Sequence, residues 1–389
     1  MKQLSLDVLK TAAWGVPATS GRVDGEVLGE LRDQAVAILA ADAIKAYEVE
    51  ETTEQQWTLL VAQQMRSFTE YMKEQTRLTE LLTAHGLTPV ILKGSSAAMY
   101  YREPWARRMG DIDFLVFPRG EESFEKAKQI LTENEYVFLH DNGRHISLRH
   151  GKTVFEAHRF FSLGENDEDE KKDMVIDGST PVEHKLTAWG TYSFYTLPDE
   201  INGIVFLEHI IHHLVSGLGL RQVLDWLFYV QAVVTDEFWN TKLKPVAEKT
   251  SLDALAKIVT RMGEIYLGAP ERAWCSDADE EACRMLFEKI TEDGNFGRSR
   301  NQKDNSMATV MNLGVSPRKL QQRGLKNWPA AQKHKILRPF AWCYQLGRYF
   351  KKGVLQRDRE SAGFVSSYRE HKKQEKLFRK LGIGRFKKM

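Results

Sequence analysis

Two aspartates separated by a single residue, Asp111 and Asp113, begin the apolar segment DIDFLVF. The β-branched and aromatic residues of this segment favour a strand, and residues two apart in a strand project from the same face. Asp111 and Asp113 are therefore expected to point together, while Ile112 and Phe114 turn into the core. Mg²⁺ takes oxygen ligands and usually reaches a protein through one or two carboxylates plus substrate phosphates, so this pair predicts a magnesium site.

A glycine-bearing turn lies upstream of this pair, with Gly94 at the end of the apolar run TPVILKG. Because glycine has no side chain, backbone N–H groups at this turn can approach phosphate oxygens, and Ser95 and Ser96 can donate as well. If SSAAMYY opens a helix here, its first turn adds partial positive charge. The alternative is an ordinary turn in which Ser95 or Ser96 caps a helix.

Three basic residues, Lys93, Arg107 and Arg108, stand near these motifs. Each can supply positive charge to a triphosphate, and the planar guanidinium of arginine matches phosphate oxygens better than an ammonium does. For one member of the double-arginine pair, a solvated surface role is an equal alternative. The sequence therefore predicts a phosphate-binding set that consists of Lys93, Gly94, Ser95, Ser96, Arg107 and Arg108.

These residues must be positioned by a region in which strands and helices alternate, from about residue 88 to 162. The segments predicted as strands are TPVILKG, DIDFLVF, YVFLHD, HISLRH and VFEAHRFF. The turn-like His150-Gly151-Lys152 joins the last two. EESFEKAKQILTENE, after Pro118, is predicted as a helix.

The flanks of this mixed region are predicted to be helical. Residues 1–85 form an all-α leader, because apolar residues recur at helical spacing and the segment 53–82 contains neither glycine nor proline. Beyond Pro198, the strongest helical segments are IVFLEHIIHHLVSGL, RQVLDWLFYVQAVV and DALAKIVTRMGEIYLG. The predicted regions are an N-terminal helical region (1–85), a mixed core (86–198), a C-terminal helical domain (199–365) and a basic tail (366–389).

The segments LKGS (92–95) and DIDF (111–114) resemble the signature of polymerase beta-like nucleotidyltransferases. More narrowly, the Lys-Gly pair at 93–94, Arg107 and MGDID (109–113) resemble a bacterial family of uncharacterised nucleotidyltransferases. The segments LKTAAWG and HHLVSGLGLRQVLDW are similar to that family too. The resemblance implies an α+β (mixed) fold, in which a nucleotidyltransferase catalytic core with a short mixed sheet is flanked by N- and C-terminal helical regions.

The resemblance also implies a third carboxylate on a neighbouring strand, which together with Asp111 and Asp113 would hold two Mg²⁺ ions, for which Mn²⁺ is a substitute. Glu156 is the best candidate, because a short apolar strand presents it near the end of the mixed region. Asp141 is the competitor, but it stands in the turn signal DNG, which favours a surface role.

The reaction that the resemblance implies is transfer of a nucleoside monophosphate, with AMP favoured, from a triphosphate to a hydroxyl of a small molecule or protein. ATP is the favoured triphosphate, and pyrophosphate leaves. A second hypothesis is a non-catalytic nucleotide-sensing or antitoxin-like interaction protein that retains the fold. A third is nucleic-acid synthesis or modification that uses the basic C-terminal residues.

Histidines offer a rival metal site, since His209, His212 and His213 share one face of a predicted helix. Zinc is disfavoured there, because no HExxH order and no evident further ligand accompany them. The family resemblance suggests instead that this helix lines the active-site cleft, with Arg221 and Asp225 on the next helix. His158 shares a strand face with Glu156 and is a further candidate for the cleft.

Composition restricts partners and location. The net charge of +2, from 55 basic and 53 acidic residues, disfavours a generic polyanion binder, although the basic tail leaves a nucleic-acid contact open. The acidic run GENDEDEKKD at 164–173 is predicted as a surface loop. No stretch approaches the roughly 20 apolar residues of a membrane span, and MKQLSLDVLKTAAWG lacks a signal-peptide layout, so a cytoplasmic protein is expected. The three cysteines show no disulfide or zinc pattern.

Overall fold

A computed structural model describes the chain over residues 1–162, 167–186, 191–295, 321, 324–325, 328, 330–331, 334–344 and 364–383. The chain forms two compact units, Met1–Ser299 and Arg300–Met389. All the candidate site residues lie in the first unit, within its described part.

The N-terminal segment of the first unit contains helices α1 (Gln3–Trp14), α2 (Gly25–Asp33) and α3 (Glu51–Ala84), with short 3₁₀ helices at Leu39–Ala41 and Ala43–Ala46. The prediction of an all-α leader is wrong for two short segments, because the strands β1 (Arg22–Val23) and β2 (Glu48–Val49) pair in parallel. Helical spacing cannot reveal such a pairing between distant residues. Val23 is fully buried in it, and Asp24 then caps α2 by accepting from two backbone N–H groups.

The mixed region contains seven strands and three helices in the described residues. The strands are β3 (Thr88–Ile91), β4 (Ile112–Phe117), β5 (Val137–Asp141), β6 (His145–His150), β7 (Thr153–His158), β8 (Val182–Leu186) and β9 (Tyr192–Thr196). The helices are α4 (Ser95–Ala98), α5 (Glu121–Glu133) and α6 (Asp167–Asp177), and a 3₁₀ turn covers Pro104–Ala106. The predicted strands are present, and β8 and β9 add two that the sequence pattern did not indicate.

These seven strands form one sheet in the order β5-β6-β7-β4-β3-β9-β8. β4 pairs in parallel with β7 and antiparallel with β3, and β3 pairs in parallel with β9; the outer pairs are antiparallel hairpins. The sheet is therefore mixed, and the α+β (mixed) fold predicted from the sequence is confirmed.

Apolar side chains alternate along the strands and create a core on each face of the sheet. On one face, Ile112, Phe114 and Val116 of β4 join residues of α3 and α5. On the other face, Leu115 and Phe117 join residues of α6 and of α7 (Asp199–Ser216). The face that α6 and α7 cover is also the face on which Asp113 lies, because Asp113 and Leu115 are two residues apart.

The acidic run predicted as a loop is helical from Asp167 onward, since it belongs to α6. Residues 164–166 of that run lie outside the described residues. The helix is anchored by buried ionic contacts, in which Lys172 donates to Glu208 at 2.8 Å and lies 3.7 Å from Asp169. Burial of these charges in pairs explains why an acidic sequence packs against α7 instead of forming a solvated loop.

The remaining helices of the first unit follow α7. They are α8 (Leu220–Val233), α9 (Asp236–Phe238), α10 (Lys244–Lys249), α11 (Asp253–Met262) and α12 (Glu280–Asp293). A π-turn at Trp239–Leu243 links α9 to α10, another at Gly263–Leu267 extends α11, and a 3₁₀ turn covers Ala273–Cys275. α8 is apolar almost all round and is buried over Leu220–Val230, which makes it a central support beneath the site.

The second unit contains, in its described residues, a 3₁₀ helix at Lys335–Phe340 and α13 at Phe364–Lys380. Part of the predicted basic tail thus belongs to α13, whereas 384–389 lie outside the described residues, as does most of 296–363. None of the helices in the described part of the chain combines the length and the apolar character that crossing a bilayer requires.

Candidate active site

Strand register gathers four polar side chains on one face of the sheet, across β6, β7 and β4, in two adjacent cross-strand pairs that are together called the row. Asp113 of β4 is directly opposite Glu156 of β7, and His158 of β7 is directly opposite His145 of β6. Opposed residues of neighbouring strands project from the same face, and so do Glu156 and His158, which are two apart. The backbone alone therefore places these four groups together.

Asp113 lies at the β4 end of this row and is 5% exposed. Its Oδ1 accepts from Lys93 Nζ at 2.8 Å and lies 3.0 Å from His158 Nε2. Burial alone would raise the pKa of Asp113, but Lys93 and His158 hold it well below its usual range. Asp113 is therefore an anion that requires positive charge around it.

Glu156 has the opposite shift, because burial and the adjacent Asp113 carboxylate raise its pKa to about 7. Its Oε1 lies 3.6 Å from His145 Nε2, and its Oε2 lies 3.8 Å from His158 Nε2. Two carboxylates in contact thus have pKa values that are pushed apart. A carboxyl group that titrates near neutrality beside a fixed anion is typical of sites that bind cations or exchange protons.

Asp111 immediately precedes β4 and is exposed. Local desolvation raises its pKa, as does the Asp113 carboxylate, while Lys93 lowers it. The predicted metal pair therefore consists of one exposed and one buried carboxylate at the start of a strand. Together with Glu156, they supply the oxygen donors that a hard divalent cation prefers, so the residues present fit magnesium.

The turn at Gly94 depends on having no side chain. Its φ is +65°, and a Cβ atom there would lie 2.1 Å from the hydroxyl oxygen of Tyr71 on α3. Ser95 and Ser96 follow it in α4, and both are fully buried. The Ser95 hydroxyl donates to Gln75 Oε1 at 2.5 Å, so its side chain is directed at α3. The role of these serines in phosphate binding stays a prediction.

Arg107 has a partner different from the predicted phosphate. Its guanidinium donates to both carboxylate oxygens of Asp225 on α8, at 2.8 and 2.7 Å, and Tyr101 donates to the same carboxylate at 2.8 Å. Arg107 is 3% exposed and Asp225 1%. The structure thus brings these two candidate residues together in a buried ion pair that ties the segment before Asp111 to α8.

Two further arginines lie beside this pair. Arg108 is exposed, and its backbone carbonyl accepts from Arg221 of α8 at 3.1 Å. Burial lowers the pKa of Arg221 to about 10, and the neighbouring Arg107 contributes to the shift. Of the predicted phosphate-binding arginines, Arg108 is the one whose side chain reaches solvent.

The histidines of α7 lie near the same site, but among the described residues they do not group as a metal ligand set. His209 and His213 approach each other with their Nε2 atoms 3.0 Å apart, whereas His212 is exposed. Burial lowers the pKa of His209 well below its usual value, and Lys93 lowers it further. Burial likewise lowers the pKa of His213 to about 3. Both rings are therefore uncharged near Lys93. Uncharged rings suit contact with a neutral part of a substrate more than with an anionic group.

Asp141 lies away from this row, at the end of β5, where it is paired with Arg159 at 3.0 Å. In contrast, His145 belongs to the row although sequence reasoning missed it. The sequence indicated the hairpin through the turn at 150–152 but did not fix its register, and the observed pairing of His150 with Thr153 is what brings His145 opposite His158.

Three comparisons with known proteins bear on the family of this chain. A crystal structure of an antigenic nucleotidyltransferase-like protein from Paracoccidioides brasiliensis is similar at 15% identity and a TM-score of 0.33, over 52% of this chain and 94% of that one. That likeness is too distant to support an argument. A search of curated proteins gave no significant match. The family model of uncharacterised nucleotidyltransferases matches residues 24–267, which is more than half of the chain and includes all the candidate site residues, and the chain belongs to this family.

Proposed function

We propose that this protein is a magnesium-dependent nucleotidyltransferase that moves a nucleoside monophosphate from a triphosphate to an acceptor hydroxyl. The observation that carries the proposal is the pairing of Asp113 with Glu156 on adjacent parallel strands, with Lys93 bound to Asp113. With Asp111 they provide three carboxylates and one ammonium around the start of β4, near the middle of the sheet. This combination suits a metal-bound triphosphate, since the carboxylates hold the cation and the ammonium attracts phosphate oxygens.

Asp111, Asp113 and Glu156 would hold two magnesium ions, and manganese is a substitute. When bound, the metal neutralises phosphate charge and lowers the pKa of the acceptor hydroxyl. Lys93 and the exposed Arg108 would bind the triphosphate and orient it.

The reaction requires a proton acceptor for the attacking hydroxyl. Its oxygen forms a bond to the α-phosphorus, the bond from that phosphorus to the bridging oxygen breaks, and pyrophosphate leaves with the electron pair. A Glu156 Oε atom receives the proton, since Glu156 lies opposite Asp113 beside the carboxylates that would hold the metal. Because His209 and His213 are neutral and close to Lys93, they are proposed to line the acceptor side of the cleft.

ATP is the proposed donor, so AMP is transferred, and the acceptor is a hydroxyl of a small molecule or of a protein. A cytoplasmic location belongs to this proposal, because nucleoside triphosphates are made and kept there.

The test uses ATP labelled at the α-phosphate, Mg²⁺, the purified chain and a cell extract as the source of acceptors. Label is expected to enter a product with the natural protein. Asp113→Asn should lower the rate at least ~100-fold, since loss of about 3 kcal/mol of charge stabilisation corresponds to that factor. Asp141→Asn is the matched control and should keep full activity.

Equal labelling by the natural protein and Asp113→Asn would refute the proposal. Tight binding of ATP without turnover over a broad acceptor panel would instead favour the non-catalytic nucleotide-sensing hypothesis. Labelling that requires added RNA or DNA would favour the third hypothesis. A fall in nucleic-acid binding as salt rises would then indicate that basic residues contact the phosphate backbone.

A further inference from the structure

Three side chains in the row described above have the chemistry and spacing of a transition-metal site. Each of His145, Glu156 and His158 can offer one ligand atom, and these three atoms lie within 4.8 Å of one another. The closest contacts are 3.6 Å between Glu156 Oε1 and His145 Nε2 and 3.8 Å between Glu156 Oε2 and His158 Nε2. All three side chains are partly buried, so their positions are restricted by the fold.

The spacing is close to what a small metal ion imposes. Zinc binds histidine nitrogen at about 2.0–2.1 Å, which puts the ligand atoms of a tetrahedral site roughly 3.4 Å apart. The separations of 3.6 and 3.8 Å involve the two different oxygens of Glu156, and one ligand atom from each residue gives separations of up to 4.8 Å. Binding must therefore bring the side chains closer by up to about 1.4 Å, an adjustment made through their torsions. The strand register already aligns the three groups on one face.

A fourth ligand is next to this triad. Asp113 Oδ1 is 3.0 Å from His158 Nε2, and Lys93 holds the same oxygen at 2.8 Å. With an ion between the imidazoles and the carboxylates, Asp113 completes a set of two nitrogens and two oxygens. Lys93, which does not itself bind the ion, would then orient the ligand Asp113, as residues that hydrogen-bond to metal ligands commonly do.

The identity of the donors decides which metal is preferred. Magnesium takes oxygen ligands almost exclusively, whereas imidazole suits zinc and its divalent neighbours. We propose that His145, Glu156 and His158, with Asp113, form a zinc-class metal site that prefers Zn²⁺ or Co²⁺ over Mg²⁺. This deepens the proposed function and rests on it for the catalytic consequence, which is that one of the two metal positions is occupied by a transition metal. Metal binding itself can be measured without turnover.

The test is titration of the chelator-treated, metal-free full chain with Co²⁺, whose visible absorption is intense when the ion is four-coordinate. One equivalent of Co²⁺ should bind and give this spectrum, Zn²⁺ should displace it, and a 100-fold excess of Mg²⁺ should not. His145→Ala should weaken Co²⁺ binding at least ~100-fold, beyond the 10–100-fold effect of losing a supporting residue. His184→Ala removes a histidine on β8, at the far end of the sheet, and should bind Co²⁺ normally.

A second variant tests whether a loss of Co²⁺ binding in His145→Ala is due to misfolding. His145→Cys replaces the imidazole with a thiolate, and a folded site should then show a new sulfur-to-Co²⁺ charge-transfer band. Absence of four-coordinate Co²⁺ in the natural protein, or unchanged affinity in His145→Ala, overturns the inference. If Mg²⁺-dependent transfer occurs without Co²⁺ binding, this inference fails alone. If Co²⁺ binds as expected and no transfer occurs, the proposed function fails alone.

Discussion

Replacing Asp225 with asparagine removes the negative charge that balances Arg107 inside the first unit. The side chains keep nearly the same shape, so no cavity forms, and the effect reports the loss of the charge together with one hydrogen-bond acceptor. Asp225 accepts three hydrogen bonds, two from Arg107 and one from Tyr101, and both members of the ion pair are almost fully buried. An uncompensated guanidinium would remain in the interior.

The expected cost in free energy of unfolding is about 3–5 kcal/mol, the usual effect of breaking a buried ion pair. Asp277→Asn is a matched control, since Asp277 pairs with Lys257 at 2.8 Å but its side chain is 69% exposed. A surface pair of this kind contributes about 0–1 kcal/mol. The double variant Arg107→Met with Asp225→Leu should recover part of the loss, because the guanidinium and the carboxylate are removed together, although Tyr101 loses its acceptor.

The assay is urea-induced unfolding followed by far-ultraviolet circular dichroism for the natural chain, each variant and the control. If Asp225→Asn costs less than about 1 kcal/mol and matches Asp277→Asn, the argument that Arg107 is committed to Asp225 is refuted. Arg107 would then be available to contact phosphate, as its sequence position suggested.

Two further predictions concern the site itself. Gly94→Ala should destabilise the protein by about 1–3 kcal/mol through overpacking against Tyr71; Gly86→Ala, at a similar positive φ but with open space around it, should cost less in the same unfolding assay. Equal losses would mean that backbone strain, and not the clash, is responsible. The pKa of Glu156 rises on folding from 4.5 to about 7, so in the metal-free protein its contribution to stability is full below pH 4.5 and is lost as pH rises to about 7. Because the lowered pKa values of His209 and His213 contribute stability that rises with pH in both proteins, the measure is the difference in thermal unfolding between the natural chain and Glu156→Gln from pH 5 to 8. The natural chain should lose stability relative to the variant as pH rises, and a constant difference would contradict the assigned pKa.

The sequence predicted most of the elements that carry the site, because local signals define them. β4 begins one residue later than DIDFLVF suggested, and β6 coincides with HISLRH. Glu156 was predicted to lie on a strand near the aspartates, and the structure puts it opposite Asp113. Its role as a metal ligand stays a prediction, since adjacency alone does not test it.

Other features depend on contacts between distant residues, which no local pattern reveals. Arg107 and Asp225 are 118 residues apart in sequence, so each looked like an available charge in its own segment. β9 joins the sheet in parallel with β3, although about a hundred residues separate them. Charges that look functional in sequence are often neutralised by such pairings, and only the fold shows which remain accessible.

His145 lies between these extremes, because the sequence indicated the turn that places it but not the register of the strands on either side. A two-residue turn at Gly151 and Lys152 pairs His150 with Thr153, and counting outward along the hairpin brings His145 opposite His158. Once the turn is known, the strand register identifies which side chains are neighbours across the hairpin, and composition cannot do this. Extended by the parallel pairing of β7 with β4, the same counting adds the carboxylates and predicts a mixed nitrogen and oxygen donor set. The aspartate pair alone indicates magnesium, whereas the full row, read through register, favours a second metal of a different class.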